Sequence, residues 1–225
     1  MHRFHDRREA GLALARRLAA LARNPATIVL ALPRGGVPVA AEVARALELP
    51  LDVLCVRKIG APLHKELALG AIAEGGACVR NEDVIRDSAI DQEEFERLAS
   101  RERLELERRV RAFRGGRAPL ELSGHTVVLV DDGLATGATM RAAIQSLKRA
   151  RVKQVIMAVP VAAQDSLALL EPEVDQVVCL RVPSVFGAVG LWYEQFPQVS
   201  DGAVQTALAS LSTRSSEPSR SMSKT

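Results

Sequence analysis

Short runs of consecutive apolar residues, each ended by a polar or glycine-rich turn and followed by a helical repeat, recur along this chain. Thr27-Ile28-Val29-Leu30-Ala31-Leu32 and Thr126-Val127-Val128-Leu129-Val130 are β-branched or aliphatic throughout, the pattern of strands buried on both faces of a parallel sheet. Leu51–Val56, Lys153–Pro160 and Val174–Leu180 read as further strands. Between them lie helices. Asp6 with Glu9 three residues on marks a helix start, and Leu14, Leu18 and Leu21 form one apolar stripe until Asn24-Pro25 stops it. Its arginines read as a solvated face. Pro38 suits the first turn of a helix running to Leu47, Met140, Ile144 and Leu147 share one helical face, and Gln164–Leu170 and Asp201–Leu211 complete the set. This βαβ alternation predicts an α/β fold: a mainly parallel sheet with helices on both faces and right-handed connections.

Two segments stand outside that alternation. Leu67–Asn81 reads as short strands forming a hairpin around Glu74-Gly75-Gly76. Asp91–Phe113 reads as a long charged helix with Phe95, Leu98, Ala99, Leu106, Val110 and Phe113 on one stripe. It either packs on the domain or reaches as an arm onto a second subunit, and the first reading is preferred. The expected organisation is therefore a single domain over residues 1–211 with a helical insert at about 91–113. The Ser/Pro/Arg-rich residues 212–225 are expected to be disordered.

With 225 residues, 48% hydrophobic and 25% charged, the chain suits one α/β domain with a large core. No apolar run approaches the ~18 residues of a membrane span, and the first residues lack a signal-peptide core, so a cytoplasmic protein is expected. The formal charge is +3, but Arg214, Arg220 and Lys224 against Glu217 put +2 of it in the tail. The body is close to neutral, so nucleic acid is not indicated as a partner. Cys55, Cys78 and Cys179 are odd in number, far apart and set among apolar residues; they read as buried thiols.

The chemistry concentrates where strands meet turns. Asp131 and Asp132 end one strand, and Thr136, Gly137, Ala138 and Thr139 precede a helix whose first N–H groups point outward, which suits a phosphate monoester. Carboxylates accept hydrogen bonds and so suit the two hydroxyls of a ribose. Together they fit a sugar phosphate, although paired acids at a strand end also hold metal ions in other folds. Upstream, Arg34-Gly35-Gly36 follows a strand directly; adjacent glycines let backbone N–H groups approach an anion, and Arg34 adds positive charge. Arg57-Lys58 ends the next apparent strand, where open α/β sheets bind ligands; the two cations serve either a pyrophosphate or the solvated surface.

VVLVDDGLATGATM, residues 127–140, resembles the phosphoribosyl-pyrophosphate (PRPP) motif of the type I phosphoribosyltransferases, and the likeness extends in order over most of residues 25–200. Gly133 departs from it, standing where the family usually has an aliphatic residue, and is expected to loosen the turn. The resemblance implies the type I fold with a small aromatic-containing hood, and a pyrophosphate loop at Arg34, Gly35 and Gly36, often with a non-proline cis peptide. It further implies that Lys58 contacts pyrophosphate and that a loop carrying His64 and Lys65 closes over the sugar. Asp131 and Asp132 would hold the ribose, and Ala135, Thr136, Gly137, Ala138 and Thr139 the 5-phosphate. Lys58, Asp131 and Asp132 would be the catalytic set.

Residues 186–196 hold the only Trp, the only Tyr and two of the five Phe. The segment resembles the one that covers the base in hypoxanthine phosphoribosyltransferases, which makes Phe186, Trp192 and Tyr193 candidates for base stacking, with core packing the alternative. The activity implied is transfer of 5-phosphoribosyl from PRPP to a nitrogenous base, with Mg²⁺ carried mainly by PRPP and no protein metal site. Ala135 stands where hypoxanthine-type enzymes place an Asp, while adenine-type enzymes share the alanine; no general base can be named. A PRPP-binding regulator that keeps the fold is the alternative from another class, and a homodimer is left open.

Overall fold

The computed structural model describes residues 3–62 and 67–212. Five strands form the central sheet: β1 (Thr27–Ala31), β2 (Leu51–Val53), β6 (Thr126–Val130), β7 (Gln154–Val161) and β8 (Gln176–Arg181), all parallel in the order β2-β1-β6-β7-β8. Alternate side chains of β1 and β6 enter two different cores. Val29, Ala31, Val128 and Val130 meet α1 (Arg7–Arg17), α2 (Gly36–Leu47) and α7 (Asp201–Ser212) on one face. Ile28, Leu30, Val127 and Leu129 meet α5 (Ala138–Arg149) and α6 (Gln164–Leu170) on the other. That double burial is why these strands, after the threonine that opens each, are aliphatic at every position.

The expected strand Leu51–Val56 is in fact two. β2 stops at Val53, and β3 (Val56–Gly60) begins a second, antiparallel sheet with β4 (Ala68–Ala73) and β5 (Cys78–Arg80). Leu54 and Cys55 between them are 4% and 2% exposed, so the apolar run continues across a change of sheet that periodicity cannot register. The hairpin around Glu74-Gly75-Gly76 is as expected, β4 pairing with β5. α3 (Glu82–Asp87) follows, and then α4 (Gln92–Arg114), capped by the Asp91 side chain on the Glu94 N–H. α4 packs on the domain: Phe95, Ala99, Leu106 and Phe113 join Ile59, Leu69 and Ile72 in the larger core. Each buried aromatic ring contributes about 1.5–3 kcal/mol of burial.

The first helix is shorter than its stripe suggested. α1 ends at Arg17, and Leu21 belongs to a separate 3-10 turn, Ala19–Leu21. Gly11 allows α1 to close on α2, since a Cβ there would lie 2.5 Å from the Val39 carbonyl oxygen. α2 is also the helix that opens at Gly36, so α1 is locked to the loop carrying Arg34.

Candidate active site

β1 and β6 are neighbours, so the loops leaving their C-terminal ends lie side by side. The Pro33–Arg34 peptide bond is cis, the conformation the resemblance implied for this loop. The Leu32 N–H donates to the Val130 carbonyl at 2.9 Å, and Gly36 N–H donates back to Leu32 at 3.0 Å. This fixes the loop against the acid pair. A Cβ on Gly35 would lie 2.1 Å from Asp132 Oδ2, and one on Gly36 would lie 2.7 Å from the Val130 oxygen. The glycines are thus required by the approach of one loop to the other.

Asp131 and Asp132 are both partly exposed at their surface but sit at the end of a fully buried strand. The Asp132 N–H donates to Asp131 Oδ1 at 2.8 Å. Burial, then the charge of Asp132, push the Asp131 carboxyl well above the usual carboxylate range. Burial raises Asp132 too, with Arg7 pulling the other way.

Arg7 is the residue the sequence reading missed. Its Nε donates to Asp132 Oδ2 at 2.8 Å and its Nη1 to the Pro197 carbonyl at 2.8 Å, while its Cζ lies 3.7 Å from the Phe196 ring centroid. The expected solvated arginine face of α1 therefore fails at this position, where Arg7 is 8% exposed. A buried carboxylate at a sheet end needs a counter-charge, and the first turn of α1 supplies it. Arg7, Arg34, Gly35, Asp132, Phe196 and Val199 line a cleft of about 470 Å³. Arg34 leans across it to within 3.5 Å of Asp201 at the start of α7.

On the other side of Asp132 the chain turns through Gly133. A Cβ there would lie 2.6 Å from Val189 Cγ1. The missing aliphatic side chain is thus replaced by one from another part of the chain, and the turn is filled where loosening was expected. Leu134 pairs with Ala162 in an isolated parallel bridge, and the Ser166 hydroxyl donates to the Ala135 carbonyl. Gly137, at φ 77°, caps α5. Ala135, Thr136 and Thr139 are exposed, Ala138 is half-buried, and Thr136, Gly137, Ala138 and Arg141 line a hollow of about 390 Å³ shared with Gly70, Ala71 and Arg80 of the second sheet.

Lys58 and Arg57 sit on β3, where Lys58 is exposed and in register with Ala71 of β4. Arg57 is bound to Glu102 of α4, Nε to Oε2 at 2.8 Å, so it anchors that helix. Neither stands at the end of a central strand, because the chain has already changed sheets. His64 and Lys65 lie outside the described residues.

The aromatic segment takes a different place from the one expected. Trp192 and Tyr193 are 6% and 3% exposed and share a core with Phe4 and Ala10. The Tyr193 ring stacks on Phe196 at 5.0 Å, its hydroxyl donates to the Asp132 carbonyl at 2.6 Å, and the Trp192 Nε1 donates to the Phe186 carbonyl at 3.0 Å. Their faces are not presented for stacking on a heterocycle. Phe186 is half-buried against the same core. Among the described residues no group of three or more His, Cys, Asp or Glu is placed to hold a metal ion, and no helix is long and apolar enough to cross a membrane.

This arrangement can be set beside known proteins. The family model of the phosphoribosyl transferase domain matches residues 6–191. A Mycobacterium tuberculosis protein provisionally named a phosphoribosyl transferase is 48% identical over 204 residues, which are 91% of this chain and 46% of that protein. The chain thus spans about half the length of the curated relatives it matches. The crystal structure of a Thermus thermophilus protein superposes with a TM-score of 0.80 at 45% identity, covering 93% of this chain and 99% of the other. On the extent of the family match and the loop geometry that accompanies it, the chain belongs to the phosphoribosyl transferase domain family.

Proposed function

We propose that this chain transfers a 5-phosphoribosyl group from PRPP to a nitrogenous base, releasing pyrophosphate. The observation that carries the reading is the convergence at adjacent strand ends of an Arg-Gly-Gly loop, an acid pair and a helix N-terminus flanked by the exposed Thr136 and Thr139. The N-terminal N–H groups of α5, with Thr136 and Thr139, would receive the 5-phosphate. Asp131 and Asp132 would accept from the ribose hydroxyls, which fixes the sugar between its two charged ends and presents C1 to the acceptor. Arg34, at the cleft mouth, would leave Asp201 for the pyrophosphate, and Lys58 would join it from β3.

Bond breaking ahead of bond making places positive charge on the sugar and negative charge on the leaving group. The donors here fit a magnesium ion held mainly by PRPP oxygens, since Asp132 is already engaged by Arg7. When bound, the ion would neutralise charge on the departing pyrophosphate. Ala135 supplies no carboxylate for the acceptor's proton, so the base must lose it to another group or to water.

One observation favours a second reading, a PRPP-binding regulator without turnover: the burial of Trp192 and Tyr193 removes the expected base platform. Both readings are tested by incubating the protein with PRPP, Mg²⁺ and a panel of purines, pyrimidines and nicotinate, following pyrophosphate release beside calorimetric PRPP binding. Release with one base establishes the transferase and names its acceptor. Binding without release favours the regulator or an acceptor outside the panel, and absence of binding removes both readings.

A further inference from the structure

We propose that Arg7 is a positioning residue of the PRPP site: it holds the Asp132 carboxylate ionised and turned so that its remaining oxygen receives a ribose hydroxyl. The inference rests on the functional reading above and adds a residue that no motif of the chain contains.

The geometry restricts Arg7 to this role. Its side chain is 9% exposed and is held on three sides, by Asp132 Oδ2, by the Pro197 carbonyl and by the face of Phe196. A guanidinium so engaged cannot swing to a substrate without abandoning all three, whereas Arg34, 35% exposed at the cleft mouth, can. Arg7 donates to one oxygen of Asp132 through Nε, which leaves the carboxylate's other oxygen as the acceptor for a ligand.

Two segments far apart in the sequence build this support. Phe4 N–H donates to the Trp192 carbonyl, Glu194 N–H to Phe4 and Gln195 N–H to His5, each at 2.9 Å, a strand-like strap. Asp6 then caps α1 through the Glu9 N–H, so that Arg7 is the first helical residue and is delivered at a fixed angle under Asp132. From the second segment Tyr193 donates its hydroxyl to the Asp132 backbone carbonyl. Asp132 is therefore gripped at its side chain by residue 7 and at its main chain by residue 193.

The groups facing Asp132 come from every element around it. Asp131 adjoins it just past the end of β6, Arg7 reaches it from α1, Arg34 shares its cleft from the β1–α2 loop, and the Tyr193 phenol lies behind it, itself pushed up by burial and by the Asp132 charge. Burial opposes its ionisation, and Arg7 is the close counter-charge. Removing its charge leaves the carboxylate easier to protonate, and a protonated carboxyl is a poorer acceptor for a hydroxyl.

The test is PRPP binding by calorimetry with Mg²⁺ across pH 5.0–8.5 for wild type, R7M and R7K, with folding checked by circular dichroism. The phosphates of PRPP titrate in the same range, but equally for each variant. R7M is expected to lose affinity at a higher pH than wild type, at least about tenfold weaker at the acid end and within about threefold at the alkaline end. R7K is expected to restore most of the acid-end affinity. If R7M does not fold, R7Q, which keeps a donor without the charge, is measured instead with the same expectation. Equal weakening at every pH, or no weakening, overturns the role of Arg7 while leaving the PRPP site intact. A wild type that binds no PRPP overturns the functional reading and this inference with it.

Discussion

Substitution of Gly35 by alanine tests the contact between the two loops directly. Gly35 has φ −59° and ψ −39°, values that any residue accepts, so backbone strain cannot explain a penalty there. The penalty comes from the added Cβ, which would lie 2.1 Å from Asp132 Oδ2, 2.6 Å from Cγ and 3.0 Å from Oδ1. Carbon–oxygen contacts sit at about 3.3 Å or beyond, so the carboxylate has to turn away by more than about 1 Å. Turning it breaks the Arg7–Asp132 pair, whose side chains are 9% and 13% exposed. Loss of a fully buried pair costs about 3–5 kcal/mol; at a cleft edge the lower part of that range applies. Restricting the unfolded chain returns about 0.4–1 kcal/mol. The net loss is about 2–3 kcal/mol, or roughly 4–12 °C in Tm for a chain of this size.

Thermal unfolding of wild type, G35A, D132A and the double variant measures it. In the D132A background the carboxylate is gone, and G35A should then cost less than about 1 kcal/mol, leaving a coupling of roughly 1–3 kcal/mol. PRPP affinity of G35A should fall about 10–100-fold through the displaced carboxylate, the worth of one charge-assisted hydrogen bond. An unchanged Tm, or the same loss in both backgrounds, would refute the contact as the reason for the glycine.

Three further outcomes follow from the same physics. Asp131 has a folded-state pKa raised above its unfolded value, so its linked stability is full below the unfolded pKa and is lost as pH rises through the folded one; D131N should therefore have a higher Tm than wild type at pH 8, with the difference shrinking towards pH 4, while PRPP binding weakens. A Tm difference that does not narrow with acid would count against the buried charge. Arg114 is 7% exposed on its side chain and bridges Asp52, Glu74 and the Val53 carbonyl, so R114M strands two carboxylates; a loss of about 3–5 kcal/mol is expected in urea unfolding, and a loss under about 1 kcal/mol would contradict it. Burial, chiefly, pushes the Cys55 thiol up to about 12, so it should resist alkylation at pH 8 in the native protein and react promptly once unfolded; rapid native labelling would disprove its burial.

What the sequence made legible has a common physical character. Thr27–Ala31 and Thr126–Val130 announce themselves because strands buried on both faces leave no alternating polar position to confuse the pattern, only a β-branched threonine at the start of each. The loops that follow them are legible because their chemistry is contiguous: Arg34-Gly35-Gly36 and Asp131 to Thr139 each carry their geometry in neighbouring residues. The sheet change at Leu54-Cys55 was hidden because both sides of it are core, and an apolar run does not record which core it enters. The aromatics of residues 186–196 looked like a ligand platform because composition shows that they cluster but not which way they face; Phe4, far away in sequence, takes the Tyr193 ring at 5.7 Å.

Arg7 shows where such reading stops. The N-cap at Asp6 could be read, and with it the start of α1, but the partner of Arg7 lies 125 positions away. Nothing local distinguishes Arg7 from Arg8, whose side chain is 73% exposed. The distinction arises only after α1 has docked on α2 through Gly11 and the strap at Phe4 has joined residues 192–195. A ligand-binding acid pair at the end of an apolar strand creates a demand for counter-charge, because two adjacent carboxylates near the core repel each other and have little water to screen them. That demand can be read from Asp131-Asp132; the residue that meets it is set by tertiary packing. A search of folded structures for the cation nearest the second acid would therefore find such residues, even where the motif is the only feature that two sequences share.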